Sequence, residues 1–561
     1  MKIKLLALSV SLLLVLPTFA FFLTDKMFTF HDETQIANLQ QYFKAIDFGQ
    51  FPPRWAPDMH YEYGSPFLAF NYQLPYYLGY LGHLAGLPLT AIFKFLMILS
   101  VIIGTIGMFS LGLSLSGSAF FALTAAVLYA YTPYQAIDHF VRGTLGEVFA
   151  LALFPWIFLS AQQLTKKETT TRIVVLGFLL AALIISHQPA ALLALPLFAL
   201  LFVRKIKAFV KSLALGLLIS AYYWVPVIFE KGLIKAAAPY NYAGQFPFIK
   251  QLLYSAWFYG GANPFNSETI SFQIGLVNLL VLLLATIIFP LRLLRRQKKG
   301  RDWLPSLLLL ATYGVIFLMN IRSTFIWERL PLLQAIQFPW RLLMFTTFFT
   351  SVLYLYLIKQ VRFVWGAALS LLGLIAVIGL NFSYFKPGLI VSYNDDYYLH
   401  RFLPRAALLP GETVSAVYLT HAEDYVTLPK EATRPTVLPE AKLTVEKGLA
   451  KITVTDKNPY RYRAEIEGSK DSRLTFHTFA YPGWIVTVDG FSTKQTVDKI
   501  GAISFDIPSG KHQVVIAYED TPLRLFSNII SLGSFVFTAS YLIYQLVNHH
   551  AASAAGSPRS A

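Results

Sequence analysis

The sequence predicts a polytopic α-helical membrane protein with about twelve transmembrane helices and an extracytoplasmic all-β, sandwich-like domain before the last helix. Its 561 residues are 55% hydrophobic and only 14% charged, which is too little polar surface for a soluble protein of this size. Apolar runs of membrane-spanning length recur along the chain. One late polar region instead alternates apolar and polar residues, which is typical of strands.

Membrane-spanning helices need about twenty apolar residues each. The candidate segments are residues 4–23, 90–114, 118–133, 147–164, 172–187, 189–203, 209–229, 272–292, 303–320, 341–358, 364–384 and 525–546. The first is interpreted as an uncleaved anchor, because its apolar run is longer than a usual signal core and no second small residue completes a cleavage site.

The basic loops determine the expected topology. They lie at the amino terminus and in residues 165–172, 204–211, 292–301 and 359–362. All of them fall on one face, the cytoplasmic one by the positive-inside rule, if residues 67–87 do not cross the membrane. We therefore expect residues 67–87, rich in Tyr and Gly, to form an interfacial helix. If they cross instead, every later basic loop moves outside.

This topology divides the chain into a membrane module, a β-domain, a last helix and a tail. The membrane module is residues 1–384, with external loops 24–89, 134–146, 230–271 and 321–340. The extracytoplasmic β-domain is residues 385–524, the last helix residues 525–546 and the cytoplasmic tail residues 547–561. Stretches such as "WIVTVDG" and "HQVVIAYE" alternate apolar and polar residues between turn residues, as in a sandwich or barrel.

Composition also excludes several classes of function. The net charge of +16 comes largely from short clusters between apolar runs, so it indicates membrane topology and no nucleic-acid partner. The absence of cysteine excludes disulfides, thiolate metal ligands and cysteine nucleophiles. A Walker A loop, a G-x-S-x-G elbow and an H-E-x-x-H motif are also missing, which removes support for ATP-driven transport and metalloprotease chemistry.

Ionisable residues at the outer ends of the predicted helices are the candidates for function, because charges in membrane segments are costly and usually functional. They are Asp32, Glu33, Lys94, Asp138, His139, Arg142, Glu147, His187, Glu230 and Arg341. Charges at headgroup depth suit an enzyme acting on a lipid-linked substrate. A secondary transporter is expected to carry polar groups near the midplane and an internal repeat. No clear repeat is present, so the enzyme is favoured.

The acidic pair Asp32 and Glu33 has two interpretations. Asp32 and Gln35 fit a D-x-x-Q capping box at the start of an amphipathic surface helix, which is a complete structural explanation of Asp32. The cap does not explain His31 or Glu33. A capping carboxylate can also still accept a proton or bind a cation.

The other candidate segments also have structural alternatives. Residues 134–147 fit a short interfacial helix whose charges pair with each other, and His187 fits a turn between two helices. Trp340 and Arg341 fit an interfacial anchor. The functional alternative for Arg142 and Arg341 is phosphate binding, because a guanidinium group grips phosphate through a planar fork of donors.

Several motifs resemble known membrane proteins. The acidic pair in the first external loop resembles the GT-C superfamily of glycosyltransferases. "HDE", "DHFVRGTLGE", "SFQIG" and "QFPWRLL" resemble bacterial membrane proteins with the 6-pyruvoyl-tetrahydropterin synthase-related domain. "YPGWIVTVDG" and "IPSGKHQVVIAYEDTPLR" resemble the outer β-domain of YfhO-like membrane proteins. Pterin synthesis is not implied, because the sequence has neither the fold pattern nor the zinc-binding histidine arrangement of the soluble synthase.

The resemblance implies a GT-C-like fold and an inverting glycosyltransferase of the cytoplasmic membrane. The expected partners are a polyprenyl-phosphate sugar donor, membrane lipids and an extracytoplasmic acceptor, which is a cell-envelope glycan, a lipid or a protein. Asp32 would be the general base, and Glu33 would position the acceptor. Mg²⁺ or Mn²⁺ is left open as a cofactor, with Asp32 and Glu33 as its only candidate ligands.

The resemblance also implies a role for the other charged residues. Arg142, Arg341 and His187 would bind the donor phosphate. His31, Asp138, His139 and Glu147 would support the site. A lipid-linked glycan flippase or transport subunit, and a non-catalytic envelope protein that anchors the β-domain, are the alternatives.

Overall fold

The computed structural model describes residues 2–235, 242–294, 303–403, 427–435 and 439–555. Its helices of ten residues or more are Lys2–Val15, Thr34–Asp47, Leu74–Leu84, Leu89–Ser116, Ala119–Ala130, Leu145–Lys166, Thr170–Ser186, Gln188–Leu201, Ile206–Ile219, Ala221–Glu230, Leu276–Leu294, Leu304–Leu318, Leu343–Ile358, Phe363–Asn381 and Pro522–Ala555. Each predicted apolar segment overlaps at least one of these helices. The basic loop predicted at 292–301 lies largely outside the described residues.

The protein is a multi-pass membrane protein, and its described helices give five to seven candidate spans. Five helices are long and apolar enough by themselves: Leu89–Ser116, Leu145–Lys166, Pro339–Ile358, Phe363–Tyr384 and Pro522–Gln545. Two further pairs qualify only if each bent pair counts as one span: Gln188–Leu201 with Val203–Ile219, bent by 83°, and Leu304–Leu318 with Ile321–Arg329, bent by 93°. Length and composition therefore support fewer crossings than the sequence predicts.

The segment predicted to be interfacial forms the short helix Leu74–Leu84, whose 11 residues are too few to cross a bilayer. It packs closely on two other helices through Gly79. A Cβ atom at Gly79 would lie 3.1 Å from both Ile92 and Leu39. The glycine therefore lets Leu74–Leu84 approach Leu89–Ser116 and the helix Thr34–Asp47, which follows the acidic pair.

A two-stranded sheet holds the segment before the acidic pair. β1 (Met27–Phe28) pairs antiparallel with β2 (Ile390–Val391), and Thr29 N donates to Leu389 O at 3.0 Å. The short helix Asp395–Phe402 follows β2. The first residues of the predicted β-domain thus lie against the first external loop.

The prediction of a β-sheet region before the last helix is confirmed. Its strands are β3 (Leu443–Lys447), β4 (Ala450–Asn458), β5 (Arg461–Gly468), β6 (Ser472–Phe479), β7 (Trp484–Val488), β8 (Phe491–Ser492), β9 (Gln495–Val497), β10 (Ala502–Ile507) and β11 (Gly510–Tyr518). They form a four-stranded sheet, β3-β6-β10-β9, and a five-stranded sheet, β4-β5-β11-β7-β8, both antiparallel. The rings of Tyr462 and Phe476, one from each sheet, lie 5.2 Å apart.

Buried ion pairs fix the last helix and the β-sheet region to the membrane module. Arg524, at the start of the last helix, donates two hydrogen bonds to Glu230, at 2.7 and 2.8 Å, and Tyr481 donates a third at 3.1 Å. Arg54 from the first external loop donates to Asp520 at 3.0 Å. Glu230 therefore joins the last helix to the membrane module and lies apart from the candidate site.

Candidate active site

Main-chain hydrogen bonds hold the acidic pair against residues 134–146, which are predicted to be the second external loop. His31 N donates to Val141 O and Asp32 N to Arg142 O, both at 2.9 Å. Val141 and Arg142 belong to the π-helix Ile137–Arg142, a type of helix that is frequent at functional sites. The two charged loops predicted to share the outer interface are thus directly joined.

The predicted capping box is wrong. The helix begins at Thr34, its N-cap residue is Glu33, and no side chain caps it. The Gln35 side-chain oxygen is occupied, because it accepts hydrogen bonds from the hydroxyls of Tyr72, at 2.7 Å, and Tyr76. The partly exposed Asp32 carboxylate makes no hydrogen bond or ion pair with any other residue in the described part of the chain.

A buried ionic cluster lies next to Asp32 and is centred on Glu147. Arg142 Nη1 donates to Glu147 Oε2 at 2.7 Å and to Asp138 Oδ1 at 2.6 Å. Tyr134 donates to the other Glu147 oxygen. Arg341 Nε lies 3.6 Å from Glu147 Oε2. Glu147 therefore holds together side chains from the second external loop and from the segment that leads into Leu343–Ile358.

Local sequence explains how this cluster forms. Asp138 and Arg142 are four residues apart in one helical turn. The π-helix ends at Gly143, whose φ of +66° favours glycine, and a Cβ atom there would collide with the Phe30 ring. Glu147 lies in the first turn of Leu145–Lys166, where the helix dipole stabilises a negative charge.

The two arginines are held in place on aromatic rings. Arg142 Cζ lies 4.9 Å from the Trp340 ring centroid, and Arg341 Cζ lies 4.8 Å from that of Phe338. Arg341 Nη1 also donates to Ile336 O at 2.9 Å. The Nη2 groups of both arginines make no hydrogen bond to a residue that the structure describes, so each retains donors for a ligand.

Asp32 and Glu33 face different cations. Burial raises the pKa of Asp32, and the guanidinium groups of Arg142 and Arg341 act in the opposite direction. Burial also raises the pKa of Glu33, which is opposed by Arg401. Arg401 Nε lies 3.8 Å from Glu33 Oε2. Only Asp32 therefore faces the ionic cluster.

His187 faces the cluster as a neutral side chain. Its Nδ1 accepts a hydrogen bond from Ala190 N at 3.2 Å, as expected for a turn residue that caps the next helix. Because Nδ1 accepts this hydrogen bond, the ring proton lies on Nε2, which is 3.9 Å from Glu147 Oε2. His187 adds a donor to the cluster but no positive charge.

The other two predicted histidines lie at the edge of the cluster or away from it. His31 is exposed, and its Nε2 lies 3.2 Å from Tyr259 O. His139 is buried with Nδ1 2.7 Å from Gln135 O and Nε2 3.0 Å from Ser100 Oγ, so it packs against Leu89–Ser116. The structure thus brings Asp32, Asp138, Arg142, Glu147, His187 and Arg341 together, but not His139.

Three contributors were missed by sequence reasoning. Tyr134 precedes Asp138 by four residues, a helical spacing that is visible in the sequence. Tyr72 approaches the cluster through Gly146, where a Cβ atom would lie 2.8 Å from the tyrosine ring. Arg401 is far from Glu33 in sequence, and no local pattern indicates that the two are neighbours.

Asp32 and Glu33 are the candidate ligands for a divalent cation. Among the described ranges, no group of three or more His, Asp or Glu residues is placed to bind a metal ion. Arg401 Nε lies 3.8 Å from Glu33 Oε2, and the guanidinium groups of Arg142 and Arg341 act on Asp32, so cations of the protein itself already face both carboxylates. We derive no step through Mg²⁺ or Mn²⁺.

Comparison with known proteins gives one family and several similar solved structures. The model of the family described as "6-pyruvoyl-tetrahydropterin synthase related domain; membrane protein" matches residues 70–385. No protein with a curated function matches the sequence. The arabinofuranosyltransferase AftD from Mycobacteria is 16% identical with a TM-score of 0.42, over 71% of this chain and 28% of that one. The Archaeoglobus fulgidus oligosaccharyltransferase in the apo form is 13% identical with a TM-score of 0.43, over 78% of this chain and 61% of that one.

Proposed function

We propose that this chain, which belongs to the 6-pyruvoyl-tetrahydropterin synthase related family of membrane proteins, is an inverting membrane glycosyltransferase. It transfers a sugar from a polyprenyl-phosphate-linked donor to an extracytoplasmic acceptor, which is a cell-envelope glycan, a lipid or a protein. The observation that carries the proposal is the partly buried Asp32 side chain, unpaired within the described chain, beside two arginines that retain unused donors. The resemblance of the acidic pair to GT-C enzymes supports the same reaction.

Asp32 acts as the general base in a single displacement. The acceptor oxygen attacks the anomeric carbon of the donor while the bond from that carbon to the phosphate oxygen breaks. The hydroxyl proton passes to Asp32. The products are the glycosylated acceptor and polyprenyl phosphate, and the configuration at the anomeric carbon is inverted.

Arg142 and Arg341 stabilise the leaving group. The donor phosphodiester carries one negative charge, and the departing phosphate gains a second one as the bond breaks. Guanidinium groups that are already in position stabilise such a charge without reorganisation. Glu147 is a positioning residue, because its carboxylate lies 2.7 Å from Arg142 Nη1 and 3.6 Å from Arg341 Nε.

The membrane topology belongs to the same proposal. Twelve crossings with both termini in the cytoplasm place the acidic pair and the ionic cluster at the outer interface, where a lipid-linked phosphate lies. The β-sheet region, arranged as a sandwich, lies outside and borders the acceptor entrance.

Turnover of defined donors tests this function. Full-length protein in detergent is incubated with pentosyl and hexosyl polyprenyl phosphates and with a panel of acceptor glycosides. We expect release of polyprenyl phosphate coupled to a product of inverted anomeric configuration. Failure on every donor, with correctly folded protein, would remove the proposal. A product of retained configuration would remove the single displacement.

A further inference from the structure

We propose that Glu33, Tyr397 and Arg401, here called the acceptor wall, form a binding subsite for a sugar ring of the acceptor. This inference rests on the proposed function and specifies the acceptor that the site binds, which is a sugar. It assigns different roles to the adjacent carboxylates. Asp32 faces the phosphate-binding arginines, and Glu33 faces the acceptor.

The helix that carries Tyr397 and Arg401 is fixed next to the acidic pair at its N-terminal end. Asp395 in its first turn accepts hydrogen bonds from Leu89 N at 2.7 Å and Thr90 N at 2.9 Å, which caps the helix Leu89–Ser116. The preceding β2 pairs with β1, just before His31. The helix Asp395–Phe402 also packs on Thr34–Asp47. These hydrogen bonds and packing contacts therefore fix the position of the helix Asp395–Phe402 relative to Asp32.

The wall has the chemistry that recognises a polyhydroxylated ring. Tyr397 is half-buried, stacks on Tyr393 with ring centroids 3.6 Å apart, and accepts a hydrogen bond from Arg401 Nη1 at 2.6 Å. The Arg401 side chain is 44% exposed, so its remaining donors face solvent. An aromatic face packs on the C–H groups of a sugar, while a guanidinium and a carboxylate bond its hydroxyls.

Two polar groups beside the wall have unused hydrogen-bonding capacity. The Glu33 side chain is only 10% exposed, yet its ion partner Arg401 lies at 3.8 Å, which is longer than a hydrogen bond. The buried Tyr398 hydroxyl has no hydrogen-bond partner in the described residues. Buried polar groups in native structures are usually satisfied. Hydroxyl groups of a bound sugar would satisfy both groups. Because Glu33 directly follows Asp32 in the chain, a sugar held by Glu33 would place an acceptor hydroxyl near Asp32, the proposed base.

Sugar binding by full-length protein in detergent tests the acceptor wall without turnover. Saturation-transfer NMR measures binding of methyl pentosides and methyl hexosides. We expect Glu33→Gln and Tyr397→Leu each to weaken sugar binding about tenfold. The loss of one ring contact or of one charged hydrogen bond typically raises a Kd by about a factor of ten. Tyr397→Phe keeps the ring and should lose less than Tyr397→Leu. The exposed Asp396→Asn on the same helix is the matched control and should bind like wild type.

The outcomes separate the acceptor wall from the proposed reaction. No binding by wild-type protein, or equal binding by Glu33→Gln, Tyr397→Leu and wild type at matched melting temperature, overturns the wall. In turnover assays the same variants should raise the acceptor KM and leave the donor KM unchanged. An equal rise in both KM values contradicts an acceptor-specific subsite. Sugar binding that depends on the wall, without transfer from any polyprenyl-phosphate donor, would keep the subsite and overturn the reaction.

Discussion

Replacing Arg341 with Gln tests whether the ionic cluster stabilises a leaving phosphate. The substitution removes one of the two guanidinium groups beside Asp32. It leaves Arg142 paired with Asp138 and Glu147, at 2.6 and 2.7 Å, so the buried carboxylates keep a cation. The variant should therefore fold, because it loses hydrogen bonds that are worth about 1 kcal/mol each.

The expected effect on turnover is large. One unit of negative charge moves onto the phosphate in the reaction, and a guanidinium about 4 Å away at an effective dielectric constant of about 20 contributes about 4 kcal/mol. Removing one preorganised donor of this kind typically lowers kcat by about 10²–10³. We expect a loss in this range for Arg341→Gln, with a smaller change in donor KM.

The pH dependence changes in a defined direction. Burial raises the pKa of Asp32, whereas Arg142 and Arg341 act to lower it. Without the Arg341 charge, the pKa of Asp32 rises further. Because the base must be ionised, the acidic limb of kcat/KM moves to higher pH in Arg341→Gln.

The assay measures release of polyprenyl phosphate by full-length protein from acidic to neutral pH. The matched control is Arg329→Gln, because Arg329 is an exposed arginine in residues 321–340, the segment that precedes Arg341, and has no ion pair to any described residue. Arg329→Gln should behave like wild type. A kcat for Arg341→Gln that stays within about threefold of wild type, with an unmoved acidic limb, would refute this role of Arg341.

Two further predictions concern the parts of the fold that hold the site. Arg524→Gln leaves the buried Glu230 without its bidentate partner and should lower the free energy of unfolding by about 3–5 kcal/mol; an unchanged midpoint in chemical denaturation would contradict this. Gly143→Ala forces a left-handed residue against Phe30 and should lower both the melting temperature and kcat. Gly232→Ala, where a Cβ atom meets nothing within 4 Å, is its control and should change neither.

Local patterns in the sequence account for most of the secondary structure. Apolar runs predict segments that each overlap a helix. The alternation in "YRYRAEIEG" predicts β5, where Tyr462, Ala464 and Ile466 are buried and the intervening residues are exposed. Bends depend on tertiary packing. The 83° bend between Gln188–Leu201 and Val203–Ile219 turns two apolar segments into one candidate span, and hydropathy does not register such a bend.

The composition of the site was more predictable than its contacts. Arg142, Glu147 and Arg341 are visible in the sequence as charges at the ends of predicted helices. The pairing of Arg341 with Glu147 joins residues distant in sequence, and distant residues also explain the failure of the Asp32 cap. Asp32 N is taken by Arg142 O, at 2.9 Å, and the Gln35 side chain by tyrosines of another helix. A capping motif is recognised from neighbouring residues alone, so it does not reveal the distant groups that take these hydrogen bonds.

The most direct test of the central claim is single-turnover transfer by Asp32→Asn with saturating polyprenyl-phosphate sugar. The matched control is Asp25→Asn, an exposed carboxylate in the same external loop. We predict that Asp32→Asn binds donor like wild type and transfers sugar about 10²–10⁴-fold more slowly, whereas Asp25→Asn keeps the wild-type rate. Transfer by folded Asp32→Asn at a rate close to that of wild type would contradict the assignment of Asp32 as the general base.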